Sequence, residues 1–273
     1  MPKPESATKV DLALDEQLMK GLRLALSFLT SVPVRAEADA PRPGALGRAA
    51  IWFPWVGVGV GLILTGAHLV FGWLFPPLLA ATLTVAAWAA LTGGLHLDGL
   101  ADCCDGLFAT ATPERRLDIM RDPRLGAFGV IGLILFLMLK VLAVASLPNT
   151  YSPVAFFVMV ASVSRWLIVL VAQQPPARPG GLGADFKHGL TPRVVALAAL
   201  APLVWVVVGL LYGWWPLLIA IVLAHLVALA IMAVARARLG GVTGDVFGLT
   251  VELSELITLL AIAPYHTVIV NGS

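Results

Sequence analysis

Charge is the scarcest feature of this chain. Asp, Glu, Lys and Arg make up only 12% of its 273 residues, where a soluble domain of that size carries about 25%. The balance is 59% hydrophobic and falls in long runs. That argues against a soluble domain and reads as a polytopic membrane protein. Cysteine is nearly missing: Cys103 and Cys104 are the only two and they are adjacent, so a disulfide framework is not expected. No basic block is found, and the formal net charge is +2. Nucleic acid is therefore not an expected partner. The first 50 residues have no early apolar core, so no cleavable signal peptide is expected.

The scarce charge is concentrated between Thr92 and Gly129, TGGLHLDGLADCCDGLFATATPERRLDIMRDPRLGAFG. Asp98, Asp102, Asp105, Glu114, Asp118 and Asp122 are six of the sixteen acidic residues. On a helix, positions 98, 102 and 105 stand at i, i+4 and i+7, so the three carboxylates share one stripe. Like charges that close repel unless a cation lies among them. The stripe reads as half of a divalent-cation site, and Asp118 and Asp122 are candidates for the other half. Cys103 and Cys104 are small helix residues rather than ligands, because a magnesium-type site prefers oxygen.

The apolar runs predict an all-α, polytopic integral membrane helical bundle of about seven spans with an N-terminal interfacial helix. It is expected to form one domain over residues 1–273, with 1–48 as a cytosolic arm that includes that helix. Residues 1–17 are expected to be loosely attached, and 18–29 have the spacing of the interfacial helix. The spans are placed at 49–71, 78–95, 127–147, 154–172, 194–211, 217–235 and 246–269. In the first, the run GVGVGVG lacks the strand-turn-helix context of a dinucleotide fingerprint; its small residues suit close helix packing. His68 is read as a packed or hydrogen-bonded histidine. Lys140 and Arg165 lie inside spans and must face protein or water. They suit pairing with carboxylates or a phosphate, or a buried charge pair that holds helices together. Residues 173–193 form a long loop rich in proline and glycine, with Arg178, Asp185, Lys187, His188 and Arg193. Its basic residues suit phosphate contact. Glu252 and Glu255, at i, i+3, with Asp245 ahead of them, form a second acidic cluster.

Of the eighteen Lys and Arg residues, sixteen lie in the N-terminal arm, the acidic stretch, the 173–193 loop and the segment at Arg236. The turns at 72–77, 148–153 and 212–216 have none. Loops rich in Lys and Arg stay in the cytoplasm. All the carboxylates are then expected at one cytosolic face, with the N-terminus inside and the C-terminus outside. Clustered carboxylates hold hard cations, and such metals stabilise the oxygens of a phosphoryl displacement. Arg116, Arg121, Arg124 and Lys187 would hold diphosphate oxygens. A carboxylate or His96 would take a proton from an attacking hydroxyl; His96 lies opposite Asp98 on an ideal helix and joins only if the backbone is irregular near Gly93 and Gly94. A divalent-metal transporter is the alternative reading, against which the uncharged outer turns argue.

The segments FLTSVPV at 28–34, WFPWVGVGVG at 52–61, TGGLHLDGLADCCDGL at 92–107, IMRDPRLGAFG at 119–129 and GGVTGDVFG at 240–248 carry a resemblance. The chain resembles the cobalamin synthase family, the adenosylcobinamide-GDP ribazoletransferases, in family order over nearly its whole length. The Cys-Cys pair stands where the family more often has Thr and a variable residue, which leaves the carboxylates untouched. The resemblance implies a bacterial inner-membrane enzyme of the last steps of adenosylcobalamin synthesis. Such an enzyme joins adenosylcobinamide-GDP to α-ribazole, or its 5′-phosphate, and releases GMP with Mg²⁺ as cofactor. Carried over, the motif positions are His96, Asp98, Asp102, Asp105, Asp122 and Asp245. Among them His96, Asp98 and Asp122 are candidate catalytic groups, and the five aspartates are candidate metal ligands. The Asp102-x-x-Asp105-Gly106 element also looks like the opening of the CDP-alcohol phosphotransferase signature, whose arginine and downstream spacing are absent. A homo-oligomer is compatible with all of this.

Overall fold

The computed structural model describes residues 4–34, 43–147 and 153–263, with side chains from residue 16 onward. The elements are α1 (Pro4–Leu29), α2 (Ala45–Ala49), a 3-10 turn (Ala50–Trp52), α3 (Phe53–Leu74), α4 (Pro77–Leu91), α5 (Leu95–Phe108) and α6 (Pro113–Ile119). There follow α7 (Ala127–Ala145), α8 (Pro153–Val171), α9 (Leu182–Gly189), α10 (Pro192–Ala198), α11 (Leu200–Leu211), α12 (Trp215–Leu239) and α13 (Gly244–Ile262). The described residues contain no strand, only an isolated parallel bridge between Pro176 and Val242. Proline sets many helix starts: α3, α4, α6, α10 and α12 each have one in the first two positions, where a missing N–H costs nothing.

By length and apolar composition, five stretches among the described residues are able to cross a membrane: 45–74, 127–145, 154–171, 192–211 and 215–239. A sixth is added if α4 and α5, bent by 91° at their junction, count as one broken span. The expected count of seven is not reached on that measure, because α13 has Asp245, Glu252 and Glu255 among its 19 residues. The N-terminal helix also differs from expectation. It runs from Pro4 rather than beginning near residue 18. The fifth expected span is interrupted at Ala199 between α10 and α11. The turn at 148–152 and residues 264–269 of the last expected span lie outside the described residues.

α8 is the hub. Its spanning window is 78% buried, against 22–39% for the other four stretches. The outer helices turn Leu62, Ile63, Ile134, Leu135, Val204 and Val222 outward, an apolar exterior suited to lipid. α3 packs on α8 more extensively than any other pair of elements. The cause is visible in sequence: Gly57 and Gly61 lie directly on the α8 backbone at Ala161 and Val158, where a Cβ would collide. Beside them, His68 hydrogen-bonds Thr84 Oγ1 at 3.2 Å and packs on the Phe157 ring, as expected of it.

The bundle interior holds a closed ion cluster. Lys140 Nζ donates to Glu252 Oε2 at 2.7 Å and to Glu255 Oε2 at 2.6 Å. Arg165 Nη1 donates to Glu255 Oε1, which also accepts from Ser164 Oγ. The Trp88 ring lies 4.2 Å from Lys140 Nζ, a cation–π contact. Two cations face two anions, and all four side chains are at most 4% exposed. Glu252 and Glu255 therefore do not gather with the aspartates at the membrane face, as the sequence suggested. Their face of α13 looks inward, onto the two basic residues of α7 and α8.

Candidate active site

At the end of α4, Gly93 and Gly94 both adopt positive φ, 64° and 70°. That conformation is natural to glycine and swings α5 across the end of the bundle. α5 then presents Asp98, Asp102 and Asp105 with the expected spacing. Two more glycines decide what meets this stripe. A Cβ on Gly99 would stand 2.9 Å from the Asp245 carbonyl oxygen, and one on Gly248 would stand 2.9 Å from that of His96. α5 and α13 thus touch backbone to backbone, which brings Asp245, in the first turn of α13, to the stripe. Asp98, Asp245 and Asp105 all lie within electrostatic reach of Asp102, and Asp98 lies within reach of Asp245. Thr243 caps α13 through the Val246 N–H and donates to Asp245 Oδ2 at 3.2 Å.

The remaining sequence candidates are placed differently. Asp105 is 9% exposed. Its two oxygens accept from the backbone N–H groups of Gly126 at 2.8 Å and Gly129 at 2.9 Å, capping the N-terminus of α7 from a neighbouring helix. Asp122 is gripped by Arg124 through Nε at 2.9 Å, Nη2 at 2.7 Å and the backbone N–H at 3.0 Å. The Arg124 hydrogen bonds hold the Asp122 carboxyl down to about 2. Arg116, 9% exposed, donates to the carbonyls of Ala111, Gly106 and Leu107, so it closes the C-terminal end of α5 rather than facing a phosphate. Asp118 is exposed on α6, and Lys187 is exposed on α9. His96 is 3% exposed, with both ring nitrogens buried and unpartnered. The backbone is irregular at Gly93 and Gly94, yet the ring remains on the interior side, within reach of Arg165 and Lys140.

A cavity of about 290 Å³ opens beside Asp245. Arg121, Arg178, residues 180–183 and Thr243 line it along with Asp245. The strap that carries Arg178 is stitched to the start of α13 by the Ala177 N–H to Val242 carbonyl bond (3.0 Å) and the Val242 N–H to Pro175 carbonyl bond (2.9 Å). Of the four cations expected to hold phosphate, Arg121 alone lines this cavity. Arg178 was visible only as one of several basic residues in a glycine-rich loop.

As they stand, no three His, Cys, Asp or Glu side chains among the described residues are close enough together to hold an ion. Mg²⁺ does not require such a cage: it is commonly held by one or two carboxylates, waters and substrate phosphates. A pair drawn from Asp98, Asp102 and Asp245 fits that mode, because the donors they offer are all oxygen. Asp105, with both oxygens engaged, fits it less well.

The sequence matches the family model described as cobalamin-5-phosphate synthase over residues 21–263. The chain belongs to the cobalamin-5-phosphate synthase family. A relative from Ectopseudomonas mendocina, an adenosylcobinamide-GDP ribazoletransferase, is 40% identical over 248 residues, covering 88% of this chain and 97% of that protein. Relatives of the same name from Pseudomonas paraeruginosa and Deinococcus radiodurans are 40% and 39% identical. They cover 90% and 89% of this chain, and 99% and 86% of their own lengths. No solved structure matches. The family model spans every element from the end of α1 to α13, so the carboxylate group and the arginine-lined cavity both lie inside the family's common region.

Proposed function

We propose that this membrane protein joins adenosylcobinamide-GDP to α-ribazole, or to its 5′-phosphate, and releases GMP. The names of the relatives support the substrates. The observation that carries the reading is the position of Asp245, which belongs at once to the carboxylate group on α5 and α13 and to the cavity lined by arginine. A phosphoryl transferase requires that adjacency, because the reacting phosphate must meet cations on one side and a metal-binding group on the other.

In the proposed reaction the ribose 3′-hydroxyl attacks the phosphorus attached to cobinamide. A P–O bond forms to the hydroxyl oxygen. The bond from that phosphorus to the bridging oxygen breaks, and GMP departs with the bridging oxygen. The hydroxyl proton passes to a carboxylate; exposed Asp98 is better placed for this than buried His96. Arg121 neutralises diphosphate oxygens from the cavity wall. Mg²⁺, held by a pair among Asp98, Asp102 and Asp245, would supply charge neutralisation at the phosphoryl oxygens. The site faces the cytosol of the inner membrane, a sidedness supported by the sixteen Lys and Arg residues outside the spans. The divalent-metal transporter alternative gains no support, because the interior carboxylates Glu252 and Glu255 are already neutralised by Lys140 and Arg165.

The test uses full-length protein in liposomes with adenosylcobinamide-GDP, α-ribazole and Mg²⁺. GMP is expected to appear in step with the nucleotide-loop product and to stop when the metal is chelated. Absence of GMP under these conditions refutes the proposal.

A further inference from the structure

We infer that the strap at 175–183 carries a subsite for the diphosphate bridge of the nucleotide-activated substrate, with Arg178 as a second cation beside Arg121. The inference rests on the transferase reading for the identity of that ligand. Arg178 Nη1 is buried and has no partner, and the residue lines an open cavity. A buried donor left unsatisfied is costly, and an incoming oxyanion would satisfy it. The lining has two guanidiniums against one carboxylate, Asp245, so the cavity is an electropositive recess beside a carboxylate group. Pockets that enclose a whole drug-sized ligand begin at about 300 Å³. At about 290 Å³ this one suits a diphosphate and the edge of its ribose, and it is too small for the corrinoid.

The strap is also built to hold its place. Gly183 and Gly241 admit the chain crossing: a Cβ on Gly183 would come within 2.9 Å of the Val242 carbonyl, and one on Gly241 would strike the Pro175 carbonyl. α9 follows Gly181 without a side-chain cap, and residues 181–183 line the same recess. In this assignment Arg178 holds the bridging diphosphate, whose far phosphate leaves with guanosine. Arginine rather than lysine matters here, because a planar fork grips two oxygens at once.

The experiment compares wild type, Arg178→Gln and Arg178→Lys, full length in liposomes. R178Q is expected to raise KM for adenosylcobinamide-GDP on the order of tenfold or more and to leave KM for α-ribazole unchanged. R178K is expected to fall between. Equilibrium binding of inorganic pyrophosphate, measured without turnover, is expected to weaken in the same order. Matching thermal melts show that R178Q is folded; if it is not, R178K alone decides. Unchanged KM for adenosylcobinamide-GDP with unchanged pyrophosphate affinity overturns the inference. So does a rise confined to α-ribazole 5′-phosphate, which would assign the cation to the acceptor's phosphate. If wild type releases no GMP yet R178Q still loses pyrophosphate binding, the transferase reading falls and the anion subsite stands.

Discussion

Asp102 and Asp105 lie one helical turn apart on α5, and their partners assign them different roles. Asp105 is occupied by two backbone N–H groups of α7; Asp102 faces other carboxylates. Asp105→Asn would turn an amide nitrogen toward one of those N–H donors. Each hydrogen bond to a charged group is worth about 1.5–3 kcal/mol, so a clear drop in thermal unfolding temperature in detergent is expected. Asp102→Asn is expected to melt like wild type and to lose magnesium-dependent GMP release. The reverse pattern, a stable but inactive Asp105→Asn with an active Asp102→Asn, would reassign the metal ligand. The Asp122–Arg124 pair gives a pH prediction. The folded Asp122 carboxyl sits near 2, below its ordinary value, so whatever the pair contributes is fully present above that ordinary value. It is lost as pH falls through about 2. Arg124→Ala removes the side-chain bonds and keeps the backbone one, so the titration is expected to rise toward the usual range near 4, read by carboxyl NMR shifts.

At the scale of the helix, the contact of α5 with α13 is the feature on which the site depends. Gly99→Ala would place a methyl 2.9 Å from the Asp245 carbonyl, and overpacking of that kind costs about 1–3 kcal/mol. The expected result is a modest loss of melting temperature with a disproportionate loss of kcat, because Asp245 is pushed from Asp98 and Asp102. Wild-type turnover in a folded Gly99→Ala would show that the contact does not set the site. The interior cluster predicts a different signature. Glu255→Gln leaves Arg165 buried without its counterion, and breaking such a pair costs about 3–5 kcal/mol. Severe destabilisation is expected there, read by thermal unfolding in detergent. Much of this was legible in the sequence. The i, i+4, i+7 stripe and the close-packing glycines of α3 are local patterns, and helical periodicity decides them. The role of Arg116 was not legible, because it reaches ten residues back to Gly106, and nothing local shows where a long side chain folds. Glu252 and Glu255 were read as one face correctly, but spacing along a helix does not tell which neighbour that face meets. Lys140 and Arg165 were read as open to carboxylates or a phosphate, and pairing them with these glutamates needed the packing of α7, α8 and α13.

For the molecule as a whole, the contacts at one end of the bundle bear on how many times the chain crosses. Gly44 donates to Asp185 at 2.6 Å, Arg238 donates to the Leu107 carbonyl at 2.8 Å, and Ala177 donates to the Val242 carbonyl. Arg121 shares the cavity with Arg178 and Asp245. These links tie the chain at 43–49, 106–126, 175–189 and 236–245 to the same end. Successive segments at one end must be separated by an even number of crossings. α7 and α8 make two, and the 192–211 stretch with α12 makes two more. Between Gly44 and Leu107, α3 makes one, so the bent α4–α5 unit must return the chain and act as the sixth crossing despite its 91° angle. Single cysteines in a background without Cys103 and Cys104 test this directly, with a membrane-impermeant thiol reagent. Exposed positions 110 and 187 are expected to react in inverted vesicles, and exposed positions 75 and 212 in right-side-out ones. If 75 and 110 react from the same side, α4–α5 is a re-entrant loop. The carboxylates of α5 and the cavity at Arg178 would then lie on opposite faces of the membrane unless the contacts that join them were broken. That outcome would remove the adjacency of the proposed metal group and the proposed phosphate subsite on which the proposed transfer chemistry depends.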